Sequence, residues 1–84
     1  MKVVKEGQRV PVEVLFRQLG GDTTQIMENA IAAARGQGAD ECDVGTRSFV
    51  FTFYLYPGGE TDVSYRLNRK NRPAKVAATH YQNE

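Results

Sequence analysis

The sequence predicts an α+β fold, with one or two N-terminal helices packed on an antiparallel sheet built around a long β-hairpin at residues 48–68. The first supporting observation is a run of aromatic and β-branched residues at 49–56, followed by a glycine-containing turn at 57–60 and a second alternating run at 63–67. The second is an alanine-rich segment at 22–35 whose apolar residues recur with helical spacing. The third is the length of 84 residues, which suits one small globular domain over residues 1–84.

The hairpin predicts both a core and an open face, because successive side chains of a strand point to opposite faces of the sheet. One face carries the large apolar residues Phe49, Phe51, Phe53, Leu55, Val63, Tyr65 and Leu67. The other face carries Val50, Thr52, Tyr54, Tyr56, Ser64, Arg66 and Asn68. Helices on the first face leave the second face free for a partner. In the alternative arrangement, the helix at 22–35 covers the two tyrosines, which are then part of the core.

Residues 11–19 fit two structures. As a helix, they place Pro11 at the first helical position, where proline is preferred. The apolar residues that then share one side are Val12, Leu15, Phe16 and Leu19. As a strand, the apolar residues alternate from 10 to 16, and Pro11 confines that strand to a sheet edge. The helix is favoured, and the strand stays open as the alternative.

The segment 22–35 predicts a helix with a capping box, in which Asp22 is the N-cap and Gln25 the third helical residue. We expect Gly36 or Gly38 to end this helix. Its predicted apolar stripe is Ile26, Met27, Ala30, Ile31, Ala33 and Ala34. Residues 36–45 are expected to form a loop with an acidic centre. Residues 2–5 are a candidate short strand, and residues 75–79 either add a strand or belong to a mobile tail over 71–84.

Charge is distributed unevenly, although the net charge is only +1. Residues 66–75 contain no acid and five basic residues, namely Arg66, Arg69, Lys70, Arg72 and Lys75. The single cysteine, Cys42, excludes an intramolecular disulfide and a cysteine-based zinc site. No apolar stretch approaches the roughly 20 residues that span a membrane, and the first residues lack the apolar region of a signal peptide. We therefore expect no membrane association and a cytoplasmic location, or the interior of the host cell if the protein is viral.

Residues 15–31 resemble a helix-turn-helix DNA-binding motif. The resemblance is carried by the runs Arg17-Gln18-Leu19-Gly20 and Asp22-Thr23-Thr24-Gln25, followed by Ile26. In such motifs a leucine and a glycine end the first helix, polar residues begin the second, and an aliphatic residue lies six positions after the glycine. Phe16 and Gly21 depart from the pattern, which has a small residue at the first place and an aliphatic residue at the second. The resemblance implies that the residues facing the DNA major groove are Thr23, Thr24, Gln25, Glu28 and Asn29. The alternative is that both elements simply pack on the sheet.

The basic segment predicts contacts with nucleic-acid phosphates through Arg66, Arg69, Lys70 and Arg72. It follows a strand whose outer face shows tyrosines, and aromatic rings on a basic sheet can stack on the bases of a single strand. The alternative is a solvated strand end that keeps a sheet edge from aggregating. The leading hypothesis is thus a small nucleic-acid-binding or regulatory protein. It would read DNA through the helix at 22–35, or bind DNA or RNA by stacking on Tyr54 and Tyr56.

The same outer face predicts a protein-binding surface as the alternative function. Tyrosine and arginine are enriched at interface hot spots, and Thr52, Tyr54 and Tyr56 share this face with Arg66. The partner would be a second copy of the chain, paired along the hairpin edge, or another protein. Small phage-encoded proteins that inhibit a host enzyme are an example of proteins that bind a different protein in this way.

The sequence lacks a catalytic pattern, and we expect no enzyme activity, no cofactor and no metal. His80 is the only histidine and lies close to the C-terminal end of the chain. Cys42 lies between Glu41 and Asp43, whose negative charges raise the pKa of the thiol and make it a poor nucleophile. These acids, together with Asp40, do not match the spacing of a calcium-binding loop.

Overall fold

The computed structural model describes residues 5–69 together with the backbone of residues 75–79. Within these described residues, seven elements follow one another: β1 Val10–Pro11, α1 Val12–Phe16, α2 Gly21–Gly36, β2 Glu41–Gly45, β3 Phe49–Leu55, β4 Thr61–Leu67 and β5 Lys75–Thr79. Of the candidate strand at 2–5, residues 2–4 lie outside the described residues, and Lys5 is not in a strand. In the predicted tail, residues 75–79 form β5, while 71–74 and 80–84 lie outside the described residues.

The five strands form one antiparallel sheet in the order β1-β4-β3-β2-β5. Strands β2, β3 and β4 follow one another as neighbours, and β5 returns to lie beside β2, which is a Greek-key arrangement. The predicted hairpin is confirmed, because β3 and β4 pair continuously from Phe49 opposite Leu67 to Leu55 opposite Thr61. The predicted α+β class, with helices on an antiparallel sheet, is therefore confirmed.

The core lies between the helices and the face of the sheet that carries Phe51 and Phe53, here called the phenylalanine face. Phe53 in β3 and Met27 in α2 are fully buried, and Leu15 in α1 and Cys42 in β2 are 1% exposed. Tyr54 and Thr52 point to the opposite face and are half-buried. The arrangement in which α2 covers the tyrosines is therefore wrong, and burial of the more apolar phenylalanine face is the physical reason.

The segment 11–19 is helical, as favoured, but its helix is short. Pro11 is the last residue of β1, where it pairs with Asp62. It is also the N-cap of α1 and not the first helical residue as predicted, so the helix begins at Val12. Val12 and Leu15 are the buried residues of α1. The helix ends at Phe16, and the turn that follows carries the chain to α2.

Helix α2 confirms the predicted helix to within one residue at each end, but its N-terminus is different. The N-cap is Gly20 in an extended conformation and no side chain caps it, so the predicted capping box is wrong. The helix instead starts one residue before Asp22, and the Gln25 Nε2 donates to Asn29 Oδ1 at 3.0 Å. Because α2 buries a narrow stripe of Met27, Ala30 and Ala34, Ile26 and Ala33 are exposed, contrary to the predicted stripe.

The predicted loop over residues 36–45 is wrong for residues 41–45. They form β2, which pairs with β3 on one side and with β5 on the other. Cys42 and Val44 are buried in the core, while Glu41 and Asp43 lie on the opposite face. Because only two apolar side chains alternate with these acids, the local sequence has a weak preference for a strand. Hydrogen bonding of β2 to a strand on each side stabilises it instead.

Candidate functional site

Three exposed arginines, Arg47, Arg66 and Arg69, lie at one end of the sheet, which we call the basic end. Phe49 and Leu67 form the last cross-strand pair of β3 and β4 at this end. Arg47 precedes that pair by two residues, Arg69 follows it by two, and Arg66 lies opposite Val50. The pairing of β3 with β4 thus brings Arg47 to the same end of the sheet as Arg66 and Arg69, which lie 19 and 22 positions later in the sequence.

Hydrogen bonds fasten the two sides of the basic end to each other. The backbone N–H of Asn68 donates to the Ser48 carbonyl at 2.9 Å, and its side-chain Nδ2 donates to the Thr46 carbonyl at 2.7 Å. Arg69 also lies 3.8 Å from the Glu6 carboxylate, which accepts the Leu67 N–H at 2.9 Å. The end of β4 is therefore held against the turn between β2 and β3.

Of the remaining basic residues in the predicted segment, the structure describes only the backbone of Lys75. Lys75 begins β5 opposite Gly45, at the same end of the sheet. Lys70 and Arg72 fall in the sequence between Leu67 and Lys75, and both lie outside the described residues. The structure therefore places Arg66 and Arg69 at the same end of the sheet as Arg47, a residue that the sequence pattern did not indicate. The sequence feature that could have indicated Arg47 is its position two residues before the start of β3.

An open groove of about 420 Å³ lies beside the basic end, between the turn that joins the helices and the turn that joins β2 to β3. Its apolar lining consists of Leu19, Phe49 and Phe51. Its polar lining consists of Gln18, Thr23, Thr46, Arg47 and Ser48. Sequence reasoning assigned Phe49 to the core alone. The structure leaves its side chain half-buried, with the ring edge-on to Tyr65 at 5.4 Å and 86°.

The α2 residues that the helix-turn-helix resemblance selects are spread over different surroundings. Thr23 lines the groove, and Thr24 beside it is half-buried. Gln25 and Asn29 are exposed and hydrogen-bonded to each other. Ile26, the aliphatic residue of the resemblance, is 56% exposed. The assignment of these residues to a DNA major groove stays a prediction.

The face of the sheet opposite the helices, here called the tyrosine face, is organised around Arg9. Its guanidinium carbon lies 3.6 Å from the centroid of the Tyr54 ring, and its Nη1 donates to Tyr56 Oη at 3.2 Å. Tyr56 Oη donates in turn to Asp62 Oδ2 at 3.0 Å, and Tyr54 shares a 3.0 Å hydrogen bond with Ser64. The bond with Tyr56 is the main cause that raises the pKa of Arg9.

Charge on the tyrosine face changes sign along the strands. Asp62 and Glu41 flank Tyr54 on its two neighbouring strands. One step further along, Asp43 lies next to Thr52, whose other neighbour is Ser64. Arg66 lies two residues beyond Ser64, towards the basic end. Acidic side chains therefore lie beside the tyrosines together with Arg9, whereas Arg47, Arg66 and Arg69 lie further away, at the basic end.

Cys42 and the side chains of metal-binding type can be compared with the sequence prediction in the residues that the structure describes. Cys42 is buried with its Sγ 3.7 Å from the Ala30 carbonyl, and burial first, then the nearby Asp43, raises the pKa of the thiol in the predicted direction. Residues 5–69 and 75–79 contain no group of three side chains able to hold a metal ion. His80 lies outside the described residues. In that same part of the chain, the helices are too short and too polar to cross a membrane.

Comparison with known proteins identifies no relative of this chain. The chain matches no protein-family model, no curated protein and no solved structure. The chemistry of the basic end, the groove and the tyrosine face is therefore the basis on which we infer a function.

Proposed function

We propose that this protein is a small, non-enzymatic regulatory protein that binds nucleic acid through its phosphates. The observation that carries the proposal is the assembly of Arg47, Arg66 and Arg69, all exposed, at one end of the sheet. Arginine side chains pair with phosphate oxygens through charge-assisted hydrogen bonds, and release of counterions from the nucleic acid supplies much of the affinity. Lys70 and Arg72 extend the same positive run in the sequence.

The contacts of Tyr54 favour the basic end over the tyrosine face as the binding surface. Stacking on a base needs an accessible ring face, and Arg9 already covers one face of the Tyr54 ring. Asp62 and Glu41 on the neighbouring strands add repulsion of phosphates. The proposal therefore assigns affinity to the arginines and not to Tyr54 and Tyr56.

Fluorescence anisotropy of a labelled oligonucleotide at several salt concentrations tests this proposal. Three phosphate contacts give a slope of about −2 for log K against log salt with a single strand, and about −3 with a duplex. Replacing Arg47, Arg66 and Arg69 together by Gln should weaken binding and make that slope shallower by about 2 with a single strand. Binding that is unchanged in this triple variant would refute the proposal.

A control for net charge is available at the opposite end of the molecule. Gln37 is the exposed C-cap of α2, so Gln37→Glu changes the net charge by the same amount as the single change Arg47→Gln. Arg47→Gln should reduce the steepness of the salt slope by about 0.7 to 0.9, whereas Gln37→Glu should leave it nearly unchanged. Equal effects of the two variants would point to overall charge and not to a site.

A second candidate function is protein binding by the tyrosine face. It is supported by the packing of α1 and α2 on the phenylalanine face, which leaves Thr52 and Tyr54 on the other face only half-buried. Tyrosine and arginine are residues on which binding energy often depends. If this face forms a complex, with a second copy or with another protein, Tyr54→Ala should dissociate it in gel filtration while the circular dichroism spectrum is retained. An unchanged elution profile would count against this function.

A further inference from the structure

We infer that the groove beside the basic end takes one unstacked base of a single-stranded nucleic acid. This inference deepens the proposed function and rests on it, since it names the form of nucleic acid that the arginines hold. The groove volume of about 420 Å³ falls within the range of roughly 300–1,000 Å³ that is typical of sites for small molecules. A planar base with its sugar is a ligand of that class.

The apolar side of the groove suits the face of a base. Phe49 lines the groove and is only half-buried, unlike Phe51 and Phe53 on the same strand. Its ring neighbours Tyr65 and Phe51 are tilted by 86° and 47°, so neither of these two rings is stacked parallel on it. Aromatic side chains bind the bases of single strands by parallel stacking, and every base offers such a face.

The polar side of the groove suits the edge of a base and its phosphate. Gln18, Thr23 and Ser48 each present a group that donates and accepts hydrogen bonds, as base edges require. Arg47 lines the groove itself, so a phosphate held by Arg47 places its own base next to Phe49. In a duplex the bases are paired and stacked inside, and one of them must be extruded before it can enter such a groove.

The experiment compares two strands that carry the same charge. One is a ten-residue oligo-dT strand, and the other is a strand of equal length in which every nucleotide is abasic. We expect the oligo-dT strand to bind about tenfold more tightly, a difference that corresponds to the stacking of one base. In ¹H–¹⁵N spectra, the amide signals of residues 18, 23 and 46–49 should shift with oligo-dT and not with the abasic strand.

Two variants connect this difference to the groove. Phe49→Leu keeps an apolar side chain but removes the ring, and it should reduce the affinity for oligo-dT to that for the abasic strand. Thr23→Val and Thr24→Val form a matched pair on adjacent half-buried threonines, of which only Thr23 lines the groove. Thr23→Val should weaken binding of oligo-dT by a few-fold, and Thr24→Val should not. This pair keeps the test decisive even if Phe49→Leu unfolds the protein.

The outcomes separate this inference from the proposed function. Equal affinity for the two strands, with both lost in the arginine variants, would overturn the base-binding groove and leave phosphate binding intact. Tighter binding of a ten-base-pair duplex than of oligo-dT would also overturn the inference. Absence of binding at low salt to both single strands and to the duplex would overturn the proposed function, and the inference with it.

Discussion

At the scale of single residues, the chemistry of Cys42 is decided by burial. The thiol is 1% exposed, it lies beside the core residues of α2, and its pKa is raised. Only the thiolate is nucleophilic, so a neutral buried thiol is an inert packing group. Arg9 shows the opposite case, since an exposed side chain acquires a fixed position by contacting Tyr54 and Tyr56.

The raised pKa of Cys42 predicts a pH dependence of stability. The unfolded thiol ionises near pH 8.5, whereas the folded thiol stays neutral to a higher pH. The unfolded chain therefore loses its proton first, so this contribution to stability is present below about pH 8.5 and is lost as the pH rises through the folded pKa. Urea denaturation between pH 7 and pH 10 should show a steeper loss for the native protein than for Cys42→Ala. Parallel pH profiles would contradict the prediction.

At the scale of elements, Arg35 joins the end of α2 to the hairpin turn. Its guanidinium donates to the carbonyls of Tyr56 and Glu60 at 2.8 and 2.7 Å, and to Thr61 Oγ1 at 3.0 Å. The planar guanidinium group reaches three acceptors at once, which a lysine ammonium on its flexible stem does not match. Arg35 thus fixes the helix relative to the strand pair that it covers.

We predict that Arg35→Lys lowers the free energy of unfolding by about 1–2 kcal/mol, because carbonyls now bonded to a charged group lose their partner. Arg17→Lys, at the exposed end of α1, makes the same chemical change and should alter stability by less than about 0.5 kcal/mol. Chemical denaturation of the two variants measures the difference. A similar small effect of both would show that the Arg35 contacts add little.

The C-terminus of α2 provides a second test, with two glycines and opposite expected signs. The Ala39 N–H donates to the Ala34 carbonyl and the Gly38 N–H to the Arg35 carbonyl, which is a Schellman motif with Gly38 at φ 77°. Gly38→Ala should cost about 1 kcal/mol because a Cβ disfavours this conformation. Gly36 is helical, and an added Cβ there meets no atom within 4 Å, so Gly36→Ala should stabilise by about 0.5–1 kcal/mol. Thermal denaturation measures both stability changes. If Gly38→Ala and Gly36→Ala shifted stability in the same direction, the Schellman assignment would be contradicted.

At the scale of the whole molecule, the Greek-key sheet separates two surfaces of different charge. The pairing of β3 with β4 places Arg47, Arg66 and Arg69 at one end. Asp62 and Glu41 lie beside Tyr54, nearer the other end of the strands. With a net charge of only +1, the binding of a charged partner that we propose would depend on this separation and not on the overall field.

The topology also predicts how stability is distributed. Strand β3 is paired along its length with β2 and β4 and contains Phe53, which is fully buried, whereas β1 contributes two residues at the edge next to β4. Native-state hydrogen exchange should therefore be slowest in β3. The Gly7 amide, which donates to the Tyr65 carbonyl at 2.8 Å near β1, should exchange at least about tenfold faster through local opening. Equal protection of Gly7 and Phe53 would show that the N-terminal segment unfolds only with the core.

The sequence by itself determined the elements whose patterns are local. Alternation along 49–67 determined the hairpin and its apolar face, and alanine-rich helical spacing determined α2. Tertiary structure alone decided that residues 41–45 form β2, since two apolar side chains between acids become a strand only when neighbours pair on both sides. It also decided which distant residues come close: Arg9 and Tyr56 are 47 positions apart and hydrogen-bonded, and the register of β3 and β4 places Arg47 and Arg66 at the same end of the sheet. Contacts across such separations follow from packing of the whole chain, which no local pattern encodes.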